Sequence, residues 1–103
     1  AAEARSLHSQ IKEAFPHLLV KFWADPIGPH GIGNFEINLK TPAQFADFVP
    51  WIQVHRRSFS VLVHPNTGYP LDDHTINAMW IGPTQVLDLS VLSNDFDESY
   101  GWF

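Results

Sequence analysis

Three of the six histidines in this 103-residue chain, His30, His64 and His74, stand where a backbone can present them. Each lies in a loop or at the end of an apolar run, beside proline or glycine or an aspartate. Strand ends and the loops that leave them are where a rigid scaffold exposes reactive side chains. Imidazole titrates near neutrality and binds first-row metals, so such residues are candidates for a metal site or an acid–base pair. The richest stretch is Ser60 to Gly82, SVLVHPNTGYPLDDHTINAMWIG. An apolar run delivers His64 to its end, a Pro/Asn/Gly turn follows, and Asp73-His74 arrives before a second apolar run. Asp72, Asp73 and Glu36 could add carboxylates to a His/carboxylate set of the kind that holds non-haem Fe(II). Asp72 and Asp73 equally fit a turn or helix-cap pair. Adjacent side chains in extended backbone point apart, so Asp73 is a doubtful orienter of His74 itself. Arg56 and Arg57 could grip a substrate carboxylate through a bidentate fork, or simply end a solvated helix. His8 and His17 read as surface residues, and His55 as a cation near a helix C-terminus.

Composition removes several alternatives. There is no cysteine, hence no disulfide framework, no thiolate nucleophile and no Cys-based zinc or iron–sulfur site. Any metal must therefore be held by His and carboxylates. A formal charge of -5 works against nucleic acid as the main partner, and His55-Arg56-Arg57 is too small a basic patch to make a groove. No P-loop, G-x-S-x-G elbow or H-E-x-x-H motif is present. No window approaches the apolar length of a membrane span and no signal-peptide pattern opens the chain, so no membrane association and a cytoplasmic location are expected. With 45% apolar and 14% aromatic residues, the chain is expected to pack as one domain over 1–103.

The elements that must position the histidines follow from periodicity. Residues 1–15 read as a helix with Leu7, Ile11, Ala14 and Phe15 on one face, ended by Pro16. Leu18 to Ala24 reads as a strand, and Asp25 to Gly33 as a loop punctuated by proline and glycine. Asn34 to Lys40 alternates, with Phe35, Ile37 and Leu39 on one side and a polar face on the other. Thr41 caps a helix that starts at Pro42 and runs to about residue 55, kinked or divided at Pro50. Ser60 to Val63 and Ala78 to Ile81 are strands, with Val86 to Leu92 a further candidate. The expected core includes Phe15, Phe22, Phe35, Ile37, Phe45, Phe48, Val61, Val63 and Trp80. From about residue 94 the tail is acidic and aromatic, and part of it should dock, since its rings are costly to leave in water. The order predicts an α+β, ferredoxin-like sandwich: one mostly antiparallel sheet with two helices on one face, lacking its first strand.

The strings SVLVHPNTG, DDHTINAMWIGP and VLDLSVL, with GPH at Gly28–His30 and FADFVPWI at Phe45–Ile52, resemble the DOPA 4,5-dioxygenase family of small aromatic ring-cleaving enzymes. The resemblance runs from about the first helix to Leu92. It implies a ferredoxin-like domain, usually oligomeric, and extradiol cleavage of a catechol such as DOPA with O2 and non-haem iron. Carried over by position, the implicated residues are His30, His64 and His74: all three as metal ligands, with His74 and His30 also as acid or base. Another divalent metal could replace iron. A homodimer or higher homo-oligomer is expected, because a missing strand leaves sheet edges to pair. The chain departs from the family in two places. Members begin with a strand bearing a His-x-His pattern, whereas residue 1 here falls in the helix after it, and Arg57-Ser58 stands where small, glycine-like residues are expected. The first departure leaves a second reading open: a non-catalytic ligand-binding or assembly domain with an incomplete metal site.

Overall fold

The computed structural model describes residues 2–26 and 33–96. In chain order the elements are α1 (Ala2–Ala14), β1 (Leu19–Pro26), β2 (Gly33–Asn38), α2 (Pro42–His55), β3 (Val61–Val63), α3 (Pro70–Asp73), β4 (Met79–Ile81) and a 3-10 turn at Leu89–Val91. The fold is α+β with antiparallel pairing, as the order of elements predicts. The pairing differs from expectation in one respect: the strands form two two-stranded sheets, β1–β2 and β3–β4. The described residues divide correspondingly into two compact units, one ending at Arg57 and the other beginning at Ser58.

In the first unit, α1 ends just before Pro16, with Glu3 in its first turn and Lys12 in its last, each complementing the helix dipole. Its apolar stripe buries Leu7 and Ile11. Phe15 meets Phe48 and Trp51 of α2 edge-on, at centroid distances of 5.3 and 5.4 Å. The core of this unit is Leu7, Ile11, Leu18, Phe48 and Ile52. On the hairpin, Val20 pairs with Ile37 and Phe22 with Phe35, and the register shifts between Trp23 and Pro26, where proline cannot donate to the ladder. His8 is half-buried rather than fully superficial, its ring edge-on to Phe35 at 5.8 Å, whereas His17 is exposed.

α2 starts as the sequence predicts. The Thr41 hydroxyl accepts from Gln44 N at 3.1 Å, and the Gln44 side chain accepts from Lys40 N at 2.7 Å. Pro50 does not divide the helix, which continues to His55. Pro50 and Ala46 are both exposed, so the carbonyl that proline leaves unbonded can be hydrated. Phe45, in the first turn of α2, is 42% exposed, contrary to expectation, whereas Phe48 and Ile52 further along the same face are buried. Phe15, Phe35, Ile37, Val61, Val63 and Trp80 are half-buried, and the Phe22 side chain lies outside what is described.

In the second unit, β3 and β4 pair Val61 with Ile81, Leu62 with Trp80 and Val63 with Met79. The candidate strand at Val86–Leu92 is instead irregular with a 3-10 turn, because the Asp88 side chain accepts from Ser90 N and bends the backbone. The connection from β3 to β4 contains α3, where the sequence suggests a turn or cap pair. Pro70 at its first position and Tyr69 O accepting from Asp73 N supply the single turn. The start of the tail docks: Leu71 N donates to Ser93 O, Asn94 exchanges two hydrogen bonds with Asp72, and Phe96 tilts against Tyr69 at 5.2 Å. Among the described residues, no helix is long and apolar enough to cross a membrane.

Candidate functional site

β3 ends at Val63, so His64 is the first residue off the strand, and His74 is the C-cap of α3. The connection folds back so that the two imidazoles meet with centroids 4.2 Å apart and planes at 33°. His64 is half-buried and His74 only 7% exposed.

Each ring is tied to its own backbone. His64 Nδ1 donates to Pro65 O at 2.9 Å, and His74 Nδ1 donates to Pro70 O at 2.8 Å. A carbonyl oxygen can only accept, so Nδ1 carries the proton in both rings. In the neutral form the lone pair is then on Nε2 of each, the nitrogen through which a ring in this tautomer binds a metal or takes a proton. The arrangement also matches the outer-shell support of metal-binding histidines, whose second nitrogen donates to a carbonyl or carboxylate.

Asp73 does not orient His74; it reaches back across the connection. It is fully buried, and its two oxygens accept from Thr67 N at 2.8 Å and Thr67 Oγ1 at 2.7 Å. Thr67 carries no sequence signal beyond its place in the Asn-Thr-Gly turn, and the six-residue reach of Asp73 is visible only in three dimensions. Asp72 is engaged with Asn94, and Glu36 is exposed on β2. Neither joins the imidazole pair to make a metal-holding group: among the described residues, no set of three His, Asp or Glu is so placed. His30 lies outside the described residues.

The two arginines sit at the end of α2. Arg57 donates to Glu3 O at 3.0 Å, Ser6 Oγ at 3.1 Å and Gln10 Oε1 at 3.3 Å, binding α2 to α1. Its backbone is left-handed at φ 60, the conformation for which glycine is preferred after a helix end. The Arg56 guanidinium donates to Arg57 O at 3.2 Å. His55 is stacked on Trp51 at 4.0 Å and donates to its carbonyl, so it stabilises the helix end through packing and a hydrogen bond.

A sequence profile of the Dopa 4,5-dioxygenase family matches residues 1–91. The chain belongs to that family. It is 47% identical over 97 residues to an uncharacterised 21.2 kDa protein of Botryotinia fuckeliana, an alignment covering 86% of this chain and 53% of the relative. It is 40% identical over 74 residues to the DOPA 4,5-dioxygenase of Amanita muscaria, covering 72% of this chain and 32% of the enzyme. The chain thus spans about half or less of these relatives. A crystal structure of a candidate dioxygenase from Nostoc punctiforme superposes with a TM-score of 0.75 at 29% identity, covering 87% of this chain and 81% of that one. The family relationship embraces both paired histidines, which lie within the matched residues.

Proposed function

We propose that this chain carries the His64/His74 part of an extradiol dioxygenase that opens a catechol such as DOPA with O2 and non-haem iron. The observation that carries the reading is the imidazole pair, both rings locked with Nδ1 protonated, in a member of the DOPA 4,5-dioxygenase family.

The donors fit the imidazole portion of a non-haem iron site. His64 and His74 would bind through Nε2, with His30 as the proposed third ligand. When bound, iron would supply open positions at which both catechol oxygens and O2 are brought together; another divalent metal is the alternative. The protein's own share is positional and protic. The Nδ1–H bonds to Pro65 O and Pro70 O hold the rings and fix their tautomer. Whichever of His74 and His30 is not holding the metal through Nε2 would take the catechol proton there and return one as the ring opens. The burial of His74 keeps bulk water from its ring. Both atoms of O2 enter the product as the carbon–carbon bond beside the diol breaks. A substrate carboxylate would find Arg56 and Arg57 at the end of α2, where Arg57 would have to exchange its α1 acceptors for it.

The test is anaerobic Fe(II) loading followed by O2 and a panel of catechols, read by oxygen uptake and by the yellow ring-cleavage product. His64→Ala and His74→Ala should each abolish product formation, with circular dichroism close to wild type. Catechol binding without oxygen uptake in the wild type would instead support the non-catalytic ligand-binding reading.

A further inference from the structure

We infer that Asp73 is a positioning residue, clasped to Thr67, that sets the spacing of the His64 and His74 rings. The functional weight of this inference rests on the proposed dioxygenase reading, whereas the clasp is a property of the connection alone.

Each ring is anchored locally, His64 to Pro65 O and His74 to Pro70 O. Those anchors fix the tautomer and local orientation of each imidazole. They do not fix one segment against the other. The residues between His64 and α3 contain proline, asparagine and a glycine at φ 99, a connection with many alternative paths. Asp73 and Thr67 bridge it: Thr67 lies on the segment leaving His64, and Asp73 directly precedes His74. One carboxyl oxygen takes a backbone N–H and the other a hydroxyl, so the contact defines both separation and rotation. Asp73 is fully buried, and a polar group in such a place is tolerated only with its partners in position. Any relaxation of the connection would strand it. The carboxyl group therefore selects the arrangement in which the two rings are 4.2 Å apart.

The test compares Thr67→Val, which removes one donor to Asp73, with Thr67→Ser, which restores it, and with Asp73→Asn. Two readouts are used without iron or catechol: 1H–15N correlation spectra of the imidazoles, and titration with Co(II) alone. Wild type and Thr67→Ser should show both rings protonated at Nδ1 and should bind Co(II) alike. Thr67→Val should keep its circular dichroism, shift or broaden the His64 and His74 ring signals, and bind Co(II) about tenfold more weakly, in the range seen when supporting partners of metal ligands are removed. Asp73→Asn should shift the same ring signals, and it decides the matter if Thr67→Val does not fold. Ring spectra and Co(II) affinity unchanged in the folded variants, with only a lower melting temperature, would overturn the inference. Perturbed rings in Thr67→Val beside a wild type inert toward every catechol would leave the clasp standing and remove the dioxygenase reading.

Discussion

Three histidines here share one device, an Nδ1–H donated to a nearby carbonyl, yet their surroundings give them different uses. His55 lies flat on Trp51 with its plane within 9° of the indole, a packing role at a helix end. His64 and His74 face each other. The same contrast separates Arg57 from a substrate-binding residue, since its guanidinium already joins α2 to α1 while its backbone holds the left-handed conformation at φ 60. Those two features can be separated by mutation. Arg57→Ala and Arg57→Gly both lose the guanidinium bonds, but only alanine keeps the Cβ penalty of the left-handed region. Arg57→Gly should therefore be more stable than Arg57→Ala by about 1 kcal/mol in urea unfolding, and equal midpoints would argue against that backbone conformation. The oddity of Arg57 is legible in the sequence, where a glycine-like residue is expected. Its three acceptors on α1 are not, because they lie far away in the chain.

Among the elements, α3 is the one on which the candidate site depends and the one least visible beforehand. A four-residue helix has no apolar period to read, and its identity comes from Pro70 at its start and from contacts made elsewhere. One such contact is the docked segment at residues 93–96. The Phe96 ring lies over Gly68, where a Cβ would overlap Phe96 Cε1, and Gly68 has φ 99. Gly68→Ala should cost roughly 1–3 kcal/mol through both strain and overlap. Adding Phe96→Ala should recover the overlap and leave the strain, a coupling that a double-mutant cycle measures. If the second substitution recovers nothing, the ring is not the obstacle. The long periodic helices behaved differently: α1 and α2 lie within a residue of their expected bounds, because amphipathic stripes and the Thr41-Pro42 cap are local signals.

At the scale of the whole molecule, both sheets are two-stranded, so each strand has one side without a ladder partner among the described residues. Two-stranded sheets are marginal alone, and open edges recruit further strands. We expect a homodimer or larger assembly, tested by sedimentation velocity at micromolar concentration; a stable monomer across that range would refute it. The chain also covers only 53% and 32% of its two curated relatives, so the activity of a longer protein is tested best on that protein.

Residue types and periodicity by themselves determined the α+β class, the order of the main helices and strands, and the candidacy of His64 and His74, while the resemblance of short strings pointed to the family. These are properties of local sequence: stripes, caps, turns and short strings. The tertiary structure decided what local sequence does not encode. It divided the strands between two sheets, carried α2 unbroken through Pro50, and turned Val86–Leu92 away from strand geometry. It also gave Asp73 to Thr67 rather than to its neighbour His74, and set the two imidazoles 4.2 Å apart. The reason is physical: a buried carboxyl group must find donors wherever the folded chain supplies them, and only the closed connection brings Thr67 to Asp73.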